Sequence, residues 1–310
     1  MTEDVERYRT AEQVFLASEG VEVNEHFVDL AQLGGQVRVL ETGEGPGPPV
    51  VFLPGVMTSG AVFAGLVGRL SGFRCLLIDR PGTGLSPMTS PPTADLAAQK
   101  HLANQLVADV LDGLNIDLAD QVCTSIGGFT AFRGAAAHPD RIGRIAALAF
   151  QLGARITDAP LTMRLPTPAF MVPNRVRATP AMVQAMLRMG GMRSAIDNNQ
   201  VSDEMLAWMV SLLRDTDTFG NDAKYGPRPA GISGPIEAVR HPAELLAKVT
   251  SPVRLFWGTD DLFGDESSAH EFAEALPNAE LQLVPGAGHA PWLDEPDLAA
   301  EAVTNHLTRE

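Results

Sequence analysis

The chain has 310 residues, of which 45% are hydrophobic and 20% charged, enough apolar material for a large core and no basis for a disordered default. Its 23 basic and 38 acidic side chains leave a formal net charge of −15. Such a surface repels nucleic acid and anionic membranes, so neither is expected as a partner.

The first residues, MTEDVERYRT, carry charge and no apolar leader segment, and no run of about 18 apolar residues occurs. The expectation is a cytoplasmic protein, monomeric or homodimeric. Residues 2–18 are predicted as an amphipathic helix, with Val5, Tyr8, Ala11, Val14 and Phe15 at helical spacing. Two short strands, near 25–30 and 36–42, flank the turn Leu33-Gly34-Gly35. The runs 49–53 and, but for Arg74, 73–78 are apolar, as suits strands buried on both faces, and residues 60–70 between them show helical spacing. A helix over 94–114, a strand over 119–124, a helix from 126 and a strand over 143–150 follow. Beyond an interruption come a strand at 253–257, a helix at 265–276, a strand at 280–284 and a helix at 295–308. The alternation predicts an α/β fold: a mostly parallel eight-stranded sheet with helices on both faces. Cys75 and Cys123 each fall in a predicted strand and read as buried thiols.

The interruption has another texture. Residues 152–240 hold eight of the eleven methionines, with Met182/Met186/Met189 and Met205/Met209/Leu212 at helical spacing and few strand-like runs. They are read as a helical cap inserted after the sixth strand, leaving 1–151 and 241–310 as the core domain.

Chemistry concentrates at three strand ends. In Val122-Cys123-Thr124-Ser125-Ile126-Gly127-Gly128 a buried strand turns into a helix, which would lift the Ser125 hydroxyl out of the sheet. The new helix would offer free N–H groups to a developing oxyanion. Such a corner needs small residues two before and two after the serine. Gly127 complies; Cys123 stands where glycine is usual. Trp257-Gly258-Thr259-Asp260-Asp261 supplies a carboxylate, Asp261 being preferred to Asp260, and Pro285-Gly286-Ala287-Gly288-His289 supplies an imidazole. Taken singly, these are also what an ordinary turn, a capping aspartate and a surface histidine look like. Together they follow strands of one parallel sheet, whose ends share an edge where ligands bind. Gly82-x-Gly84 has no Lys-Ser/Thr successor and no Cys/His group has zinc spacing, so neither metal nor cofactor is expected.

These features resemble the α/β-hydrolase superfamily, in its capped serine-nucleophile branch, over nearly the whole chain. Leu53-Pro54-Gly55-Val56 is similar to the family's His-Gly-x turn, with Pro54 in place of histidine. Ile78-Asp79-Arg80-Pro81-Gly82-Thr83-Gly84-Leu85-Ser86 is similar to its D-x-x-G-x-G-x-S turn, where Asp79 is assigned no chemistry. The resemblance implies Ser125 as nucleophile, His289 as base and Asp261 as its partner, with the Val56 and Ile126 N–H groups as the oxyanion hole. It implies a serine hydrolase cleaving an ester or related activated carbonyl compound through an acyl-enzyme. Carbon–carbon bond hydrolysis, perhydrolysis, lyase or proline iminopeptidase-like chemistry on the same triad, and a small-molecule receptor retaining it, stand as alternatives. The expected partner is a small apolar substrate, walled by Met182, Met186, Trp208 and Met209 unless these pack the cap's own helices.

Overall fold

The computed structural model describes residues 2–88, 94–159, 164, 171–228, 230–231 and 234–308. Parts of the predicted cap, residues 160–163, 165–170, 229 and 232–233, lie outside the described residues.

Eight strands make one sheet: β1 (Asn24–Asp29), β2 (Gln36–Thr42), β3 (Val50–Leu53), β4 (Cys75–Ile78), β5 (Ala119–Ser125), β6 (Ile142–Gln151), β7 (Val253–Gly258) and β8 (Ala279–Val284). Their spatial order is β1-β2-β4-β3-β5-β6-β7-β8. β2 runs antiparallel to both β1 and β4, and all other pairs are parallel. The mostly parallel sheet read from the sequence is therefore present, with an antiparallel edge. The chain steps outward from β3 to β4 and then returns to lay β5 on the other side of β3. That reversal opens a crevice at the carboxyl ends of β3 and β5, where open α/β sheets bind ligands.

The helices are α1 (Glu3–Ser18), α2 (Ala64–Val67), α3 (Leu96–Gly113) and α4 (Ile126–Ala137) before β6. α5 (Pro180–Met189), α6 (Arg193–Asp197), α7 (Asp203–Asp215), α8 (Thr218–Tyr225) and α9 (Ala243–Leu246) lie between β6 and β7. α10 (Glu266–Glu274), α11 (Pro291–Asp294) and α12 (Pro296–Leu307) follow. Side-chain oxygens cap several of them: Asp95 accepts from Ala98 N–H at the start of α3, and Ser202 from Met205 N–H at the start of α7. No described helix is long and apolar enough to cross a membrane.

Period-two alternation splits the apolar runs between two cores. Val50, Phe52, Leu77 and Val122 face α2, α12 and the helices of the insertion, whereas Val51, Leu53, Ile78 and Cys123 face α3, α4 and α10. α1 lies along α7, with Phe15 stacked on Trp208 at 5.1 Å. Beneath α1, the buried Arg38 of β2 meets Glu12 at 2.6 Å and Asp79 at 3.2 Å. Asp79 also accepts the Gly60 and Leu85 N–H groups, so it braces the turn after β4.

His241 marks the return from the insertion to the sheet. Its ring stacks on Phe129 of α4 at 5.2 Å, and its backbone N–H donates to the Gly153 carbonyl. Burial first, then the charges of Arg133 and Lys100, push its pKa from 6.5 down to about 3. Below about 6.5 the unfolded chain takes a proton that the folded ring refuses. This contribution is therefore complete above that pH and is lost as pH falls, at up to ~1.4 kcal/mol per pH unit. Urea unfolding between pH 6.5 and 4 should give a shallower decline of stability for His241→Phe than for the parent; parallel declines would contradict this.

Candidate active site

Ser125 closes β5 with φ 52° and ψ −119°, a conformation that L residues rarely adopt, and α4 begins at the next residue. The sequence that follows permits it. A Cβ at Gly127 would lie 2.0 Å from the Leu53 carbonyl oxygen, and one at Gly128 would lie 2.0 Å from Gln151 Oε1. Cys123 causes no such conflict. It is fully buried in the core under α4, with Sγ 3.5 Å from Gln151 Oε1. The spatial demand expected on both sides of the serine thus falls on the residues after it. Burial raises the pKa of Cys123, and that of Cys75 is pushed up to about 12, so both thiols are held protonated.

His289 sits on the loop after β8 and is 6% exposed. Its Nδ1 is 2.9 and 3.1 Å from the two carboxylate oxygens of Asp261, which follows β7. A proton on Nδ1 donated to that carboxylate leaves Nε2 as the acceptor nitrogen. Asp261 also accepts the Phe150 N–H at 2.9 Å and the Phe263 N–H at 3.0 Å, so three donors fix its plane. The Phe150 donor comes from an irregularity in β6, where Ala149 has φ 72°. The Gln151 side chain donates to the Leu148 and Ala149 carbonyls there. Asp260, by contrast, is exposed and accepts from the Thr259 hydroxyl. From the insertion, the Gly191 carbonyl accepts the His289 backbone N–H at 2.9 Å, and Ser194 donates to Asp294, which accepts the Gly288 N–H.

The turn after β3 completes the geometry. A Cβ at Gly55 would lie 3.5 Å from Ser125 Cβ, so this turn abuts the serine. Val56 and Ile126 line one cavity with Ser125 and His289. Ile126 is the first residue of α4, whose leading N–H groups have no helical acceptor. Ser125 Oγ has no hydrogen bond to a described residue.

The cavity measures about 410 Å³ and is mostly apolar, with Phe150, Leu152, Phe219 and Phe263 in its walls and Met171 at an exposed position. A second space of about 50 Å³, lined by Val62, Thr124 and Trp292, meets the first at Ser125 and His289. None of Met182, Met186, Trp208 or Met209 lines either space, contrary to the sequence expectation. Trp208 is 0% exposed, stacked on Phe15, with its indole N–H directed to the Tyr8 hydroxyl. Met209 is buried in the same core, Met186 packs against it, and Met182 is half-buried on α5. The apolar face of α7 is spent on α1, so helical spacing identified a buried face correctly and its partner wrongly. The walls come instead from Phe219, Asp222, Ala223 and Gly226, one face of α8 and its end. An i, i+3, i+4, i+7 spacing is the only trace they leave in the sequence.

A model of the alpha/beta hydrolase family matches residues 50–302, and the chain belongs to that family. It is similar to a 2-hydroxy-6-oxononadienedioate/2-hydroxy-6-oxononatrienedioate hydrolase of Cupriavidus pinatubonensis, 26% identical over 84% of this chain and 82% of that protein. It is 29% identical to a pimeloyl-[acyl-carrier protein] methyl ester esterase of Chromobacterium violaceum, over 85% of this chain and 95% of that one. The fold matches naproxen esterase from Bacillus subtilis with a TM-score of 0.74 at 16% identity, over 99% of both chains. It also matches a 2-hydroxy-6-oxo-6-phenylhexa-2,4-dienoate hydrolase from Rhodococcus, TM-score 0.71 at 17% identity, over 92% of this chain and 99% of that one. Within the family, these relatives make the chain a hydrolase.

Two measurements check the elbow. Ellman's reagent should find no reactive thiol in the folded protein and two after unfolding in urea, and stoichiometric reaction of folded Cys123 would contradict the packing. Gly127→Ala should lower stability by about 1–3 kcal/mol, because backbone must move to admit the methyl group; an unchanged unfolding midpoint would contradict the close approach.

Proposed function

We propose that the protein is a serine hydrolase that cleaves a small apolar ester having one large and one small limb, through an acyl-enzyme on Ser125. The observation that carries this reading is the Asp261–His289 pair, buried beside a strained serine in a largely apolar cavity. Ser125 Oγ attacks the ester carbonyl carbon as its proton passes to His289 Nε2. The oxyanion faces the Val56 and Ile126 N–H groups, and Asp261 stabilises the imidazolium. When the ester C–O bond breaks, that proton goes to the departing alkoxide. Water then repeats the sequence on the acyl-enzyme and returns the serine.

The two spaces meeting at Ser125, about 410 and 50 Å³, support unequal limbs. Residues 1–151 and 241–310 act as the catalytic core and 152–240 as a cap, with α8 shaping the larger space. Carbon–carbon bond hydrolysis draws support from the relatives named for dioates. A dianion calls for compensating cations, and Arg228 is the single cationic side chain among the described residues of the larger cavity. The ester reading fits that lining better.

A fluorophosphonate probe should label the parent at Ser125 alone, and Ser125→Ala should remove both the label and at least about 10³-fold of the turnover of p-nitrophenyl esters. Multiple turnovers distinguish an enzyme from a receptor. Labelling that survives in Ser125→Ala, or turnover of a vinylogous diketone with none of any ester, would overturn the proposal.

A further inference from the structure

The turn that presents the Val56 N–H is gripped by two residues outside the triad, Arg80 and Asp222, the second of which also lines the larger cavity. Arg80 Nη2 donates to the Gly55 carbonyl oxygen at 2.8 Å. The same guanidinium holds Asp222 of α8 with two parallel bonds, Nη1 at 3.0 Å and Nη2 at 2.8 Å. Asp222 Oδ2 in turn accepts the Met57 N–H at 2.5 Å. Arg80 and Asp222 are each 8% exposed. Met57 has φ 54°, a strained position held from its amide side by that carboxylate.

We infer that Arg80 and Asp222 are positioning residues that aim the Val56 N–H at the oxyanion, and that they tie this aim to the seating of α8. This rests on the serine-hydrolase reading above. A trans peptide is planar with its C=O and N–H opposed, so holding the Gly55 oxygen fixes the direction of the Val56 N–H. A cation on the carbonyl end also polarises the peptide and strengthens its donor end. Asp222 locks the following peptide and holds the guanidinium in register, which a lysine's single ammonium cannot do at both acceptors.

The tie to α8 has further strands. Asn221 Nδ2 donates to the Gly82 carbonyl, and the Thr218 hydroxyl accepts the Gly84 N–H. α8 is therefore clamped to the turn that carries Arg80. The same helix puts Phe219 and Ala223 into the cavity wall. Substrate bulk against α8 then bears on the helix that sets the oxyanion donor, which links limb size to rate and not to binding alone.

The test uses Arg80→Lys and Asp222→Asn in the full chain, with the unfolding midpoint of each as a check on folding. On the best p-nitrophenyl ester, each should lower kcat about 10- to 100-fold with KM within about threefold, a part of what loss of one oxyanion donor costs. A trifluoromethyl ketone matched to the acyl limb, which needs the oxyanion hole, should lose affinity by the same factor as kcat/KM. If either variant does not fold, Asp222→Glu, which keeps the charge and shifts the carboxylate by one methylene, takes its place. Folded variants with unchanged kcat, or with loss confined to KM while ketone affinity stays at the parent value, would reduce the pair to a docking contact and overturn the inference. A parent that neither turns over esters nor takes the fluorophosphonate would remove the hydrolase reading itself. A competent parent with unaffected variants removes only the positioning role.

Discussion

The backbone of Ser125, held at φ 52° and ψ −119° between a fully buried strand and a helix, is the constraint around which the site is arranged. Such a conformation costs about 1–3 kcal/mol and persists only where its surroundings over-determine it. Here α4 starts hard against β3 and β6 because Gly127 and Gly128 have no side chains to obstruct the Leu53 carbonyl and Gln151. The Ser125 carbonyl is in turn fixed by the Leu152 N–H at 2.9 Å. Relaxing the elbow would withdraw the hydroxyl into the sheet and move the first N–H of α4 away from it. One local strain thus sets both the proposed nucleophile and half of the proposed oxyanion hole.

The flanking elements meet that elbow with irregularities of their own. On one side, β6 breaks its register at Ala149, freeing the Phe150 N–H for Asp261. On the other, Met57 takes a positive φ in the turn after β3 under the hold of Asp222. The insertion reaches both sides: Gly191 and Ser194 contact the histidine loop, and Asp222 contacts the β3 turn. Its helices are fastened to the rest of the molecule through α1, whose Phe15 and Tyr8 receive Trp208. A segment at the start of the chain is therefore packed against a helix of the insertion some 200 residues later.

The parts of this arrangement that are local in sequence were legible there. Apolar runs marked β3 and β4, and the order Ser125, Asp261, His289, each after a strand of one parallel sheet, put all three at one sheet edge. The preference for Asp261 over Asp260 agrees with which carboxylate meets the imidazole. What was not legible depends on contacts between distant residues. The spacing of Met205, Trp208 and Met209 shows that α7 has a buried face but carries no sign of what covers it, and α1 covers it. Arg80 and Asp222 are 142 positions apart, and neither stands out in its own segment. Cys123 looked obstructive by pattern, yet strand alternation sends its side chain into the core beneath α4, away from the crowded corner.

In the proposed reaction, carbonyl chemistry passes through a covalent bond to Ser125. Rapid mixing of the protein with a short-chain p-nitrophenyl ester, acid quench within the first turnover and peptide mass mapping test it most directly. A burst of p-nitrophenol is expected, matched by an acyl group on the peptide containing Ser125, at that residue. A fully competent protein that turns over a series of fast and slow esters with no burst and no trapped acyl peptide for any of them would contradict it, as would an acyl group carried by Cys123.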